Sequence, residues 1–505
     1  MTMIHGSHIN SPYKDDVDVI VIGSGAGGSN TALRLVEKGL NVLVVEYGGK
    51  HELYEYSQDD AVALPMLYHE GGMRLVSGDA NFPLLAARTL GGSTVVNSGI
   101  CFRPPRYILD GFQNEEGIHW AAADVFDPYM QWVEEYMRVA KQPDEILGTH
   151  NLITRSAYAR MGWHVDTIPR NTPGCVGCGV CNLGCPAGGK WSCDRAQIAD
   201  GMTKGLRVLT RARVDKILMS GKTKATGVEG SLISEDGHTV LGSFEIKAKA
   251  VVVAAGAIDT PMLLQRSGLG GVKDGIGRGL KIHPPVGAYG YFPERKIQMW
   301  KGVTQGIYSY EFMDDGVLLE SAASMTAPIF FSNASSMDVD IFEWMRMLPH
   351  LALSGAMIHD DGTGTVKNGP FGKANIKYHY AENDMRRLRE GVIHVAEAYF
   401  AEGATSVIPG FKGGAPMKSL DEIKRAIKGV TKPSQWQTYA SHPQSTVRIH
   451  ADPKQGPVSP EFHLHGTPNV FVTDASIFPD CLGVNPQIAI MAAARLAGDY
   501  VAEAL

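Results

Sequence analysis

The sequence predicts an α/β protein organised around a dinucleotide-binding unit, and three observations lead there. Val17-Asp18-Val19-Ile20-Val21-Ile22 is a β-branched run that reads as a buried parallel strand. Gly23-Ser24-Gly25-Ala26-Gly27-Gly28 follows it with the spacing GxGxxG. Ala32, Leu33, Leu35 and Val36 then fall at helical spacing up to Gly39, a C-cap residue, and Val42–Val45 make a second buried strand that ends at Glu46. Strand, glycine turn, helix and strand form a complete βαβ unit.

Each part of that unit has a physical task. Gly23 permits the tight turn, Gly25 lets the backbone approach a pyrophosphate, and Gly28 lets the helix pack closely on the strand. The helix N-terminus offers free N–H groups to the anion. Glu46 is placed to accept hydrogen bonds from ribose hydroxyls and would repel a 2′-phosphate. The unit does not by itself separate FAD from NAD.

Composition bounds the rest. A chain of 505 residues has room for two or three domains, and 44% hydrophobic with 20% charged residues is globular rather than disordered. Lys plus Arg number 47 against 53 Asp plus Glu, a net charge of -6 with no basic block, so nucleic acid is not an expected partner. The longest apolar runs, such as residues 251–258, fall short of the roughly 20 residues a spanning helix needs, so no transmembrane segment is expected. The N-terminus lacks the pattern of a secretory signal, and the expected location is the cytoplasm. No repeat or low-complexity segment stands out.

Three later segments specify the cofactor. Leu90-Gly91-Gly92-Ser93-Thr94-Val95-Val96-Asn97 is a small-residue loop running into a polar stretch. Ala254-Ala255-Gly256-Ala257-Ile258-Asp259-Thr260-Pro261 follows a β-branched strand and enters a helix. Val472-Thr473-Asp474-Ala475 and Gly483-Val484-Asn485-Pro486-Gln487 precede a last helix. With these in order from about Asp16 to the C-terminus, the chain resembles the glucose–methanol–choline (GMC) oxidoreductases, FAD-dependent alcohol oxidases and dehydrogenases. The cysteine-rich stretch described below resembles the long-chain-alcohol-oxidase branch.

The resemblance implies a GMC-type FAD-binding Rossmann-like domain assembled from residues 14–110, 196–295 and 440–505. A helical connection or lid would span 111–170, a Cys-rich insert 171–195, and an α+β substrate-binding domain 296–439. It further implies that Gly91, Gly92, Ser93 and Asn97 line the flavin side, and that Val214 meets the adenine through its backbone. Asp474 would hold the ribityl or pyrophosphate region, with Asn485 and Pro486 beside the isoalloxazine. No histidine occurs in Thr94-Val95-Val96-Asn97, where some members attach the flavin covalently, so non-covalent FAD is expected.

Oxidising an alcohol needs a base for the hydroxyl proton and an acceptor for the carbon-bound hydride. By resemblance the base is His442, in Ser441-His442-Pro443-Gln444, and Asn485 completes a His/Asn pair by donating to the alkoxide oxygen. Ser445 stands where the family usually has glycine, and Ile449-His450 replaces a Met-Gly pair, which makes His450 a second candidate. The expected reaction is oxidation of a primary or secondary alcohol by hydride transfer to FAD. Two other readings remain open, an FAD-containing lyase and a flavin–iron electron carrier without a substrate of its own.

Cys175, Cys178, Cys181 and Cys185-Pro186 have the spacing C-x2-C-x2-C-x3-C-P of bacterial ferredoxins, and Cys193 lies close behind. In two-cluster ferredoxins the fourth cysteine of such a run serves the other cluster, and here there is no second run. A 4Fe–4S centre would use Cys185 or Cys193 as fourth ligand, and three thiolates could hold a 3Fe–4S centre. Zinc, or metal-free thiols and disulfides, are the alternatives. A cluster would favour a dehydrogenase that passes electrons to a carrier protein, whereas structural cysteines would favour an oxidase using O2.

The substrate side is expected within 296–439, which carries Trp300, Tyr308, Tyr310, Met325, Phe330, Phe331, Met337, Phe342, Trp344, Met345 and Met347. Such stripes are more often core than pocket. Their character, with residues 355–365 and 375–380 resembling the fatty-alcohol branch, leans towards a bulky apolar alcohol.

Overall fold

The computed structural model describes residues 2–9, 11–323 and 336–505. The β-branched run belongs to a longer strand, Tyr13–Ile22, whose last four residues are buried. It pairs in parallel with Val42–Val45 on one side and Val240–Val253 on the other. A strand in that position buries both faces, which suits Val and Ile.

The main sheet runs in the order Met3–His5, Arg207–Thr210, Val42–Val45, Tyr13–Ile22, Val240–Val253, Lys224–Ile233, Ala212–Ser220. Thr467–Val472 pairs in parallel with the C-terminal end of Val240–Val253. Start, middle and end of the chain therefore meet in one sheet, as an α/β fold built from separated stretches requires. Two helices, Ala26–Glu37 and Gln487–Glu503, pack on each other, and Thr31 Oγ1 donates to the Ala494 carbonyl at 2.9 Å. Among the described residues no helix is long and apolar enough to cross a membrane.

A second, antiparallel sheet has the order Ser406–Pro409, Pro285–Tyr291, Leu351–Ile358, Val317–Ala322, Ile307–Ser309, Asp166–Thr167. The helix Glu382–Glu402 covers one face, sharing a core with Val317 and Leu319. Side chains alternate along a strand, so Leu318, Glu320 and Ala322 take the opposite face. A smaller sheet joins Arg278–Leu280, Thr363–Asn368, Ala374–His379, Leu75–Gly78 and Phe82–Pro83. It ties residues 363–379, expected with the substrate segment, directly to the N-terminal part of the chain.

Met337, Trp344 and Met347 pack with Tyr289 in a core of their own, while Trp300, Phe342 and Met345 are exposed. Met325, Phe330 and Phe331 lie outside the described residues.

Helix-to-strand packing in the βαβ unit depends on Gly28, where an added Cβ would sit 1.9 Å from the Gly23 carbonyl oxygen. That neighbour is backbone and cannot swing away. Gly28→Val is therefore expected to destabilise the protein by about 3 kcal/mol or more, the upper range of overpacking, read as a lowered Tm.

Candidate active site and cysteine pocket

One cavity of about 790 Å³ runs along the C-terminal edge of the main sheet, within the size range of small-molecule and cofactor sites. Its walls include Gly23, Gly25, Glu46, Val214, Asp474 and, at the other end, His442. Gly23 holds φ +97, where an added Cβ would lie 2.3 Å from the Ala254 carbonyl oxygen. Gly25 differs in kind, since an added Cβ would meet only the Gly92 Cα at 3.8 Å. The missing side chain at Gly25 keeps the cavity open rather than relieving a protein clash.

Gly25 is also the N-cap of Ala26–Glu37, and no side chain caps that helix. Its free N–H end faces the cavity, a ready site for an anion such as a pyrophosphate. The loop carrying Gly91 and Gly92 closes onto it. Gly92 has φ +56, and a Cβ there would fall 2.7 Å from the Gly25 Cα.

Hydrogen bonds fasten this junction. Ser24 Oγ donates to Glu46 Oε2 at 2.6 Å and accepts from the Gly91 N–H at 2.9 Å. Glu46 also accepts from the Ser24 N–H at 3.0 Å and the Gly48 N–H at 2.7 Å. Burial pushes the Glu46 carboxyl up, against the pull of those donors. Asp474 plays a similar part, accepting from the Gly256 N–H at 2.8 Å, the Thr260 hydroxyl and the Ser476 N–H. Its carboxylate is occupied in joining the ends of two segments at the cavity wall. Asn97 Nδ2 donates to Gln487 Oε1 at 2.9 Å, and Ser93 Oγ accepts from the Ala87 N–H at 3.1 Å.

At the other end His442, Asn485 and Glu320 line the same space. His442 sits between two short bridges, Leu84 with Ala440 and Lys281 with Gln444, which fix its backbone. Ser445 has φ +69, the left-handed region that favours glycine, so the turn keeps the shape that the usual glycine would give. Burial lowers the His442 pKa to about 4. His450 points elsewhere, with Nε2 3.3 Å from Glu116 Oε2, and is not part of the cavity wall. Pro486 caps the helix Gln487–Glu503 without a side-chain hydrogen bond, so its N–H end also opens on the cavity beside Asn485.

Glu320 escaped the sequence reading. It is 6% exposed, and burial raises its pKa to about 8, with a hydrogen bond from Asn485 opposing the shift. Its Oε1 and the Asn485 Oδ1 are buried polar atoms with no hydrogen-bond partner among the described residues, a chemistry that suits a hydrogen-bonding ligand. The available signal was the two-residue alternation Leu318, Glu320, Ala322, which sets a lone acid in an apolar strand. A second histidine, His283, packs edge-on against His442 with ring centroids 5.7 Å apart. Its Nε2 accepts from the Gly483 N–H at 3.1 Å.

Cys175, Cys178, Cys181 and Cys185 converge on a separate small void, together with Lys190 and Thr172. Cys193 does not join them. It is fully buried elsewhere, its N–H donating to Thr94 Oγ1 at 3.0 Å, which corrects its expected place among the ligands. Donors surround the other sulfurs. Arg170 Nη2 lies 3.2 Å from Cys181 Sγ, and the Lys190 N–H 3.4 Å from Cys185 Sγ. Burial pushes the Cys181 thiol up, yet Arg170 and Lys190 outweigh it and its pKa is lowered on balance. The expected alternative of disulfides is not realised, since all seven cysteines are free.

Sulfur spacing bears on the metal. A tetrahedral zinc with Zn–S near 2.3 Å would hold its sulfurs only about 3.8 Å apart. Among the described residues the one set of three candidate ligand atoms within 4.8 Å of one another is His283, Asp360 and Cys481. The Asp360 carboxylate there already accepts from Ile282 N–H, His283 N–H and the Tyr378 hydroxyl, which makes it a structural node. The cysteine pocket brings no three of its ligand atoms within 4.8 Å of one another. It also abuts the large cavity, because Asn182, next to Cys181, lines the cavity while donating to the Val96 carbonyl at 3.0 Å.

Comparisons with known proteins agree on the family. Residues 64–285 and 360–494 match the two GMC oxidoreductase models, and residues 18–54 match an FAD binding domain. An uncharacterised GMC-type oxidoreductase of Mycobacterium tuberculosis is 35% identical over 97% of this chain and 76% of its own length. Long-chain-alcohol oxidase FAO4B of Arabidopsis thaliana is 29% identical over 98% of this chain and 68% of its own. Among solved structures, pyridoxine 4-oxidase from Mesorbium loti superposes with a TM-score of 0.71 at 18% identity, covering 96% of this chain and 98% of that one.

The different settings of Gly25 and Gly28 make a prediction. Gly25→Ala, which meets no protein atom closer than ordinary contact, is expected to keep the wild-type Tm of the FAD-free protein while binding FAD at least about tenfold more weakly. Flavin content after purification and thermal unfolding of the stripped protein check it.

Proposed function

The chain belongs to the GMC oxidoreductase family, and from that premise we propose that it oxidises a bulky, apolar primary or secondary alcohol to the aldehyde or ketone with FAD. The observation that carries this reading is the meeting, in one cavity, of a neutral imidazole, an amide and a buried carboxyl with unpartnered polar atoms. Bound FAD would supply the acceptor for the carbon-bound hydride.

The protein's own groups handle the proton and the charge. With its pKa near 4, His442 is neutral at pH 7 and can take the hydroxyl proton. Asn485 donates its amide N–H to the oxygen as negative charge develops there. The uncapped end of Gln487–Glu503 adds a positive field at the same spot. Glu320 keeps its proton up to about pH 8, which spares the developing alkoxide a neighbouring negative charge. Ala322 and Gly355 line the cavity on the Glu320 face of the sheet, and their small size leaves room for an apolar substituent. The name of the long-chain-alcohol oxidase among the relatives supports the same substrate class.

Cys175, Cys178, Cys181 and Cys185 would hold an iron–sulfur cluster, which supplies single-electron steps towards a carrier protein. Their convergence on one void, the donors on their sulfurs and the contact with the cavity through Asn182 support this. Direct reoxidation by O2 is the second reading, favoured by the oxidase names of the relatives.

Three outcomes test the proposal. His442→Ala is expected to lose about 10²-fold or more in alcohol turnover while keeping its flavin. In the wild type kcat/KM should hold through acid pH until His442 protonates near pH 4, and decline above about pH 8 as Glu320 loses its proton. Glu320→Gln, which cannot ionise, should remove the alkaline decline, and an unchanged profile would exclude the role given to Glu320.

Iron and acid-labile sulfide on anaerobically purified protein test the cluster, with about three or four irons per FAD expected. Cys181→Ser should lose the iron and the associated absorption, whereas Cys193→Ser should keep both. Flavin without iron in the wild type would leave the O2 reading standing.

A further inference from the structure

The end of the cavity away from His442 carries a feature that the proposed chemistry does not use. The strands Thr363–Asn368 and Ala374–His379 form a hairpin whose tip, Pro370–Gly372, reaches the cavity wall. Phe371 at this tip is 100% exposed, the highest value among the exposed large hydrophobic residues. It also has φ +56, a left-handed conformation unfavourable for an aromatic residue. Among the described residues no ring or cation packs on its face.

The hairpin behind it is firmly anchored. Gln265 Nε2 donates to the Val366 carbonyl at 2.9 Å, and its Oε1 accepts from the Asn368 N–H at 3.1 Å. Asn368 Nδ2 donates to the Met262 carbonyl at 3.0 Å, and Arg266 Nη1 donates to Asn368 Oδ1 at 3.1 Å. Met262 and Arg266 line the cavity in turn, and Arg266 Nε donates to the Asp215 carbonyl at 3.4 Å. Asp215 adjoins Val214 on the strand Ala212–Ser220. The anchored hairpin therefore holds Phe371 at the Val214 end, far along the chain of contacts from the reacting groups. Tyr47, another aromatic residue of the cavity wall, is already packed under the Arg88 guanidinium at 5.1 Å.

A rigid support that presents a strained, fully exposed aromatic ring to a cavity lacks its counterpart, and a flat heteroaromatic face would provide it. Resting on the FAD reading above, we infer that Phe371 is the aromatic cover of the cofactor's adenine, stacking on it from the side opposite the Val214 strand. The ring would slow cofactor escape and would take no part in the oxidation.

The test uses the full chain stripped of flavin and titrated with FAD and, separately, with ADP, which carries the adenine half and no isoalloxazine. Phe371→Ala is expected to weaken both ligands by a similar factor, about 5- to 150-fold, the range of base–aromatic stacking. Phe371→Gly, which is relaxed at positive φ, should lose affinity to the same extent, separating the ring from the backbone strain. Phe371→Trp should bind as tightly as the wild type. Wild-type affinity for FAD in both Phe371→Ala and Phe371→Gly would overturn the inference, as would weakened FAD binding with unchanged ADP binding. A wild-type protein that takes up neither ligand would overturn the FAD reading itself, and this inference with it.

Discussion

The Ser24 hydroxyl stands where three separate parts of the chain must meet, and the cavity exists because they meet there. It donates to Glu46 at the end of the second strand and accepts from Gly91 in a loop more than sixty residues away. The approach is possible because Gly92 carries no side chain, a Cβ there falling 2.7 Å from the Gly25 Cα. A buried carboxylate, a hydroxyl and two glycines thus set the width of the cofactor space. The free N–H groups of Ala26–Glu37 are left pointing into it.

Burial then tunes the far end of that space. His442 and Glu320 are both driven towards their neutral forms, one downwards and one upwards, by the same desolvation. On the proposed reading, a neutral imidazole and a neutral acid in one cavity would leave the developing negative charge to be met by amide and helix dipoles rather than by a fixed cation. The cysteine pocket follows the opposite logic. Arg170 and Lys190 are buried beside Cys181, so that thiolate charge is favoured. Asn182, which lines the cavity, directly follows Cys181, which lines the cysteine pocket, so the two sites adjoin along the chain.

How legible all this was depends on the range of the signal. The βαβ unit is local, so its strands, turn and helix could be read from spacing, and Gly23 and Gly28 meet the backbone as a tight turn and close packing demand. Glu46 was legible as an acid at a strand end. That its oxygens already hold Ser24 and Gly48 was not, because those donors are fixed by how the turn folds back. The aromatic and methionine residues of the substrate segment could be counted but not placed. Those that the structure describes went to a core, to the surface or to packing behind the cavity.

By itself, then, the sequence determined the class of fold, the glycine turn, the cysteine run and the candidacy of His442 and Asn485, since each is carried by residue type at short spacing. Tertiary structure alone decided that Glu320 joins that pair, that Cys193 leaves the cysteine pocket, and that Phe371 overhangs the cavity's other end. The physical reason is the same in each case. Which face a strand buries, and which hairpin crosses which cavity, is set by packing between segments hundreds of residues apart, and no local pattern of side chains encodes that contact.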